Sequence, residues 1–172
     1  MIILQILSLV IRLVVLGALL WLAAVDIRSR RLPTQMVLFI GALFFMDAVV
    51  VHMSIDEVIE HLVLALVVFL VCALLFAAKL LGGGDAKLAS IIFLWAGLHL
   101  SLPALSLISI IGTVVSLISL STKHMNPNQR GQPMRTLAMF SGAHGVPYGV
   151  ALALGGGAVI VLPAALPLIL TR

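Results

Sequence analysis

Apolar residues in this chain run in long blocks, and the short clusters between the blocks carry most of the charge. Unbroken runs of this kind, rather than strict alternation or a helical stripe, are the pattern of membrane spans. Six blocks fit the sequence, at about Ile2–Val25, Met36–Val51, Glu60–Leu80, Ala86–Leu98, Pro103–Leu120 and Pro147–Leu170. An open strand edge in lipid would leave backbone polar groups unpaired, so each block is predicted to be a helix. The second and fourth blocks are short against the roughly 20 residues that cross a bilayer. The expected fold is all-α: a polytopic integral membrane protein of about six transmembrane helices, with residues 1–172 forming one membrane domain.

Composition sharpens this reading. The chain is 63% hydrophobic and 9% charged, with a mean hydropathy of +1.30. A soluble domain of this size leaves too much of itself facing water to hide so much apolar surface. The net charge of +4 has a topological origin. Arg28, Arg30 and Arg31 fall in the first connection, Lys79 and Lys87 in the third, and Lys123, Arg130 and Arg135 in the fifth. The second connection, between Asp47 and Glu60, holds Asp56 and Glu57 and no Lys or Arg, and the fourth is a few polar residues around His99. The basic connections are all odd-numbered and share one face, which the positive-inside bias makes cytoplasmic, with both termini outside. No basic stripe with interleaved aromatics is present, so no nucleic-acid partner is expected. The first block is too long for the apolar core of a secretory signal, and no basic stretch precedes it; it reads as a retained span. Arg12 falls near its middle and must snorkel, pair, or face a polar cavity.

Two acidic residues stand at block ends. Asp26 opens Asp26-Ile27-Arg28-Ser29-Arg30-Arg31-Leu32-Pro33, and Asp85 lies within Gly82-Gly83-Gly84-Asp85-Ala86-Lys87-Leu88. A carboxylate near hydrocarbon is costly, and both of these belong to the predicted cytoplasmic side. Singly, Asp85 can be an N-cap of the fourth helix and Asp26 a solvated boundary residue. Jointly they can act as an acid–base pair, because two carboxyls that meet share a proton and titrate as a unit. Three successive glycines disfavour a helix and read as a loop with room for an extended chain. No P-loop Lys-Ser/Thr follows them, so they do not read as a phosphate cradle. Lys87 can orient a carboxylate, touch substrate backbone, or serve as a positive-inside anchor.

Other candidates are weaker. His52, His61, His99, His124 and His144 lack metal-ligand spacing, and Cys72 is the single cysteine, so no metal site, disulfide or cofactor is expected. Trp21, Trp95 and Tyr148 fall near block ends, where aromatic belts form. Residues 126–133 read as a polar loop, and Met134–Gly145 as a surface helix before Pro147.

The glycine-aspartate segment resembles the GxGDxKL pattern of the type IV prepilin peptidase family. Asp26 with its basic residues and Leu32-Pro33 is similar to that family's other catalytic segment. Val146-Pro147-Tyr148-Gly149-Val150-Ala151-Leu152 resembles its late Pro-Tyr span. The chain is most similar to the short, CpaA/TadV-like branch that serves Flp-type pili. The resemblance implies an intramembrane aspartyl endopeptidase with Asp26 and Asp85 as the catalytic pair. It also implies support from Gly82, Gly83, Gly84, Lys87, Pro147 and Tyr148. The implied substrate is a type IV (Flp-type) prepilin, cut after its short basic leader at the cytoplasmic face of the inner membrane. The cysteine-rich insertion that accompanies N-methylation in larger members has no counterpart here. An Asp-dependent transporter or channel, and a non-catalytic pilus or secretion assembly subunit, remain the alternative classes.

Overall fold

The structure is a computed structural model that describes residues 2–29, 32–121 and 148–170. All of its regular elements among these residues are helices: α1 (Ile2–Ser29), α2 (Thr34–Val50), α3 (Ile55–Ala77), α4 (Gly83–Ser121) and α5 (Tyr148–Leu170). Four of them, α1, α3, α4 and α5, are long and apolar enough to cross a membrane, and α2 is a shorter apolar helix of 17 residues. The chain is thus an all-α membrane protein, with five helices rather than the expected six spans among the described residues.

The difference arises at Gly97. The fourth and fifth expected blocks form one helical run, interrupted only where Gly97 adopts φ 61° and ψ −176°. This backbone region is essentially reserved for glycine. The expected break around His99 is helical instead. His61 of α3 sits against Gly97, with its Nδ1 2.6 Å from the Leu94 carbonyl oxygen. A carbonyl only accepts, so Nδ1 carries the proton and caps a C=O near the helix break.

Contacts along α5 fix the helix directions. Arg12 reaches the Ile160 carbonyl, Leu16 lies at Gly157, and Asp26 meets the Gly149 amide, so α1 runs opposite to α5. Ile108 lies against Gly155, and Gly112 against Tyr148 and Ala151, so residues 98–121 also run opposite to α5. Ile92 lies against Gly156, while Asp85 acts electrostatically on Tyr148, so residues 83–96 run with it. The path of α4 therefore turns back at Gly97.

The core consists of side chains from α1, α2, α4 and α5, with Leu19, Leu22, Ile40, Leu88, Ile92, Leu152 and Ile160 fully buried. Lipid tails are as apolar as leucine, so helix association here relies on close packing, which the Gly155-Gly156-Gly157 run of α5 permits. α3 packs on α4 and buries none of its residues, leaving an apolar surface suited to lipid.

Helix ends account for further departures from the hydropathy pattern. α3 starts at Ile55 rather than Glu60 because Ser54 and Glu57 form a reciprocal capping box. α2 and α3 both close in Schellman fashion, with His52 and Lys79 in the left-handed region (φ 55° and 61°).

Arg12 has the partner its depth demands. Its guanidinium lies 2.8 Å from Asp47 Oδ2, donates to the Ile160 carbonyl at 3.1 Å, and stands 5.8 Å from the Trp95 ring centroid. Asp47, within the second predicted block, is at 3% exposure as buried as any acid described. Trp95 is likewise interior, not part of a belt, and its Nε1 donates to the Ile40 carbonyl.

Candidate active site

Asp26 lies in the last turn of α1 and is 6% exposed. Its Oδ2 accepts a hydrogen bond from the Gly149 N–H, at 3.0 Å. Gly149 is the second residue of α5, where backbone N–H groups have no partner within the helix and the helix dipole favours negative charge.

Asp85 is the third residue of α4. Its carboxylate lies back against Gly82, where a Cβ would stand 2.7 Å from Asp85 Oδ2, and the Ala86 N–H donates to the Gly82 carbonyl at 3.0 Å. Gly82 is thus the cap position, and Asp85 folds back over it from the first turn. This corrects two expectations. Asp85 is not itself the N-cap, and Gly83 and Gly84 are helical rather than a loop. The first turn tolerates them because its amides are free of intrahelical bonds whatever the residue.

The two aspartates come together at one end of the bundle, close enough for the charge of Asp26 to act on Asp85. The α1–α2 connection holds them there. A Cβ on Gly84 would lie 3.0 Å from the Leu32 Cβ, and Lys87 Nζ donates to Thr34 Oγ1 at 3.1 Å. Both contacts clamp the first turns of α4 to the segment that follows Asp26. Gly83 faces the Phe76 ring of α3. Tyr148 lies within electrostatic range of Asp85 and packs at Gly112.

The expected site residues therefore divide. Asp26, Asp85, Gly82 and Tyr148 converge; Gly83 and Gly84 serve helix packing, and Lys87 is directed to Thr34. Pro147 lies outside the described residues, as do the expected polar loop and surface helix over residues 126–145. Gly149 is the contact that the sequence reading passed over, although it adjoins the Pro-Tyr pair already singled out. Among the described residues no group of three or more His, Cys, Asp or Glu side chains is placed to hold a metal ion.

Two carboxyl groups that feel each other's charge, one of them held by a backbone N–H, can divide acid and base roles between them. One can take a proton from water while the other, protonated, polarises a carbonyl.

A family model described as the type IV leader peptidase family matches residues 13–117, which include both aspartates and the whole of α2 and α3. No curated protein and no solved structure matches the chain. With more than half of its length covered by the family model, the chain belongs to the type IV leader peptidase family.

Proposed function

We propose that the protein is an aspartyl endopeptidase that removes the short basic leader from Flp-type prepilins at the cytoplasmic face of the inner membrane. The observation that carries this reading is the convergence of Asp26 and Asp85 from separate helices at one end of the bundle. In this scheme one ionised carboxylate accepts a proton from water. The resulting hydroxide attacks the scissile carbonyl carbon while the second, protonated carboxyl gives its proton to the carbonyl oxygen. The tetrahedral diol then collapses: one hydroxyl returns its proton to the second carboxylate, the C–N bond breaks, and the leaving amine takes up a proton from the first carboxyl.

Topology supports the cytoplasmic assignment. The end that holds the aspartates also carries Arg28, Lys79 and Lys87, whereas Asp56 and Glu57 start α3 at the other. A cavity of ≈ 430 Å³ beside Tyr148, lined by Ser109, Gly112, Thr113 and Ser116, offers an approach for a substrate segment from the bilayer.

The test is leader cleavage of a co-expressed Flp-type prepilin, read by gel shift and mass, with wild type, Asp26→Asn and Asp85→Asn. Cleavage by wild type alone is the expected result. Cleavage that survives either substitution excludes the aspartyl mechanism, and intact precursor with well-inserted wild type excludes this substrate class.

A further inference from the structure

We propose that Gly149 is a positioning residue of the active centre: its N–H holds the Asp26 carboxylate in register with Asp85, and its missing side chain leaves the space that carboxylate occupies. The inference rests on the aspartyl-peptidase reading. It concerns a residue beyond the stretch that the family model covers.

Two observations carry it. The first is the hydrogen bond, buried and formed between residues 123 positions apart. The second is steric. A Cβ on Gly149 would lie 2.7 Å from Asp26 Oδ2, 2.9 Å from its Cγ and 3.2 Å from its Cβ. Rotating the carboxylate relieves the first of these contacts but not the last, since Cβ moves only with the α1 backbone. Gly157, on the same helix, differs in kind: a Cβ there would meet the end of the Leu16 side chain, which can swing aside. Asp85 repeats the steric half of this arrangement, since a Cβ at Gly82 would lie 2.7 Å from Asp85 Oδ2. Each carboxylate thus occupies space that a side chain on a glycine would fill, one just before α4 and the other at the start of α5. The first turn of α5 completes the site.

The experiment has two arms. In the first, prepilin cleavage is measured for wild type, Gly149→Ala and Gly157→Ala, with Asp26→Asn and Asp85→Asn alongside. Displacing a reacting group by about 1 Å costs on the order of 100-fold in rate. Gly149→Ala is therefore expected to lose about that much kcat, with KM unchanged within about twofold. Gly157→Ala should keep its kcat. A wild type that fails to cleave, or an Asp→Asn variant that cleaves, defeats the peptidase reading. If those controls hold and Gly149→Ala keeps wild-type kcat, the positioning role is overturned.

The second arm needs neither activity nor a folded glycine variant. Tyr148 is the one tyrosine in the chain, so carbonyl-¹³C tyrosine combined with ¹⁵N glycine marks a single amide, that of Gly149. Its resonance is expected to titrate with pH in wild type and to lose most of that shift in Asp26→Asn, leaving only what Asp85 and Tyr148 contribute. An equal pH response in both proteins overturns the assignment, whether or not the protein cleaves.

Discussion

The two ends of the bundle solve the same problem in opposite ways. At one end Asp47, 3% exposed, faces the guanidinium of Arg12, which also reaches the Ile160 carbonyl. At the other end Asp26, 6% exposed, lies within electrostatic range of a second carboxyl, that of Asp85, and takes a hydrogen bond from the Gly149 backbone. The first arrangement neutralises a buried charge and ties α1, α2 and α5 at one level. The second brings like charges within range of each other and holds Asp26 with a peptide dipole, which stabilises an anion without consuming its ability to exchange a proton. Burial of an acid in a membrane protein thus does not by itself mark a reactive group; the partner does.

Substitutions can break this contrast. The largest effect is expected from Asp26→Asn and Asp85→Asn, each lowering prepilin cleavage by about 10⁴-fold, the upper range for loss of an acid or base, while leaving thermal unfolding close to wild type. The opposite outcome is expected at the other end. Arg12→Ala or Asp47→Ala leaves a buried charge unpaired and should cost about 3–5 kcal/mol of stability, with the folded fraction still cleaving. The double substitution Arg12→Met with Asp47→Leu should be milder than either single change, as a double-mutant cycle by denaturation would show. Gly97→Ala places a side chain in a conformation only glycine favours and against His61, and should cost about 1–3 kcal/mol. The smallest effect belongs to Ser54→Ala, about 1 kcal/mol from loss of the α3 cap, with cleavage rates unaltered. Should Asp47→Ala abolish chemistry in a fully folded protein, the two ends are not independent.

Much of this was legible in the residues. Long apolar runs gave the all-α membrane fold, and the depth of Arg12 called for a partner. Asp47 was missed because a hydropathy window averages one acid into its apolar neighbours and cannot see what stands across from it. Ser54-Ile55-Asp56-Glu57 is a readable capping box, yet the acids within it suggested a connection and moved the expected start of α3 to Glu60. Gly82-Gly83-Gly84 suggested a loop because helix propensity describes helix interiors, whereas here two of these residues occupy a first turn. The polar residues around His99 marked a break between two blocks but not its form, a single glycine of positive φ within otherwise continuous helix, which contacts with α3 and α5 reveal. Gly149 could be found only from its surroundings, as its role lies in what it lacks.

The shortness of two helices carries a consequence for the surrounding lipid. α2, with its 17 residues, rises about 26 Å, and residues 83–96 of α4 about 21 Å, against a hydrocarbon thickness of about 30 Å. They stand side by side, joined by Lys87 to Thr34 at one end and Trp95 to Ile40 further along. Residues 83–96 are mostly interior, so lipid meets this pair along the exposed face of α2, where a bilayer thins or its headgroups follow the helix ends inward. On the peptidase reading, such an indentation shortens the path by which water, the co-substrate of hydrolysis, reaches the end of α4 that carries Asp85.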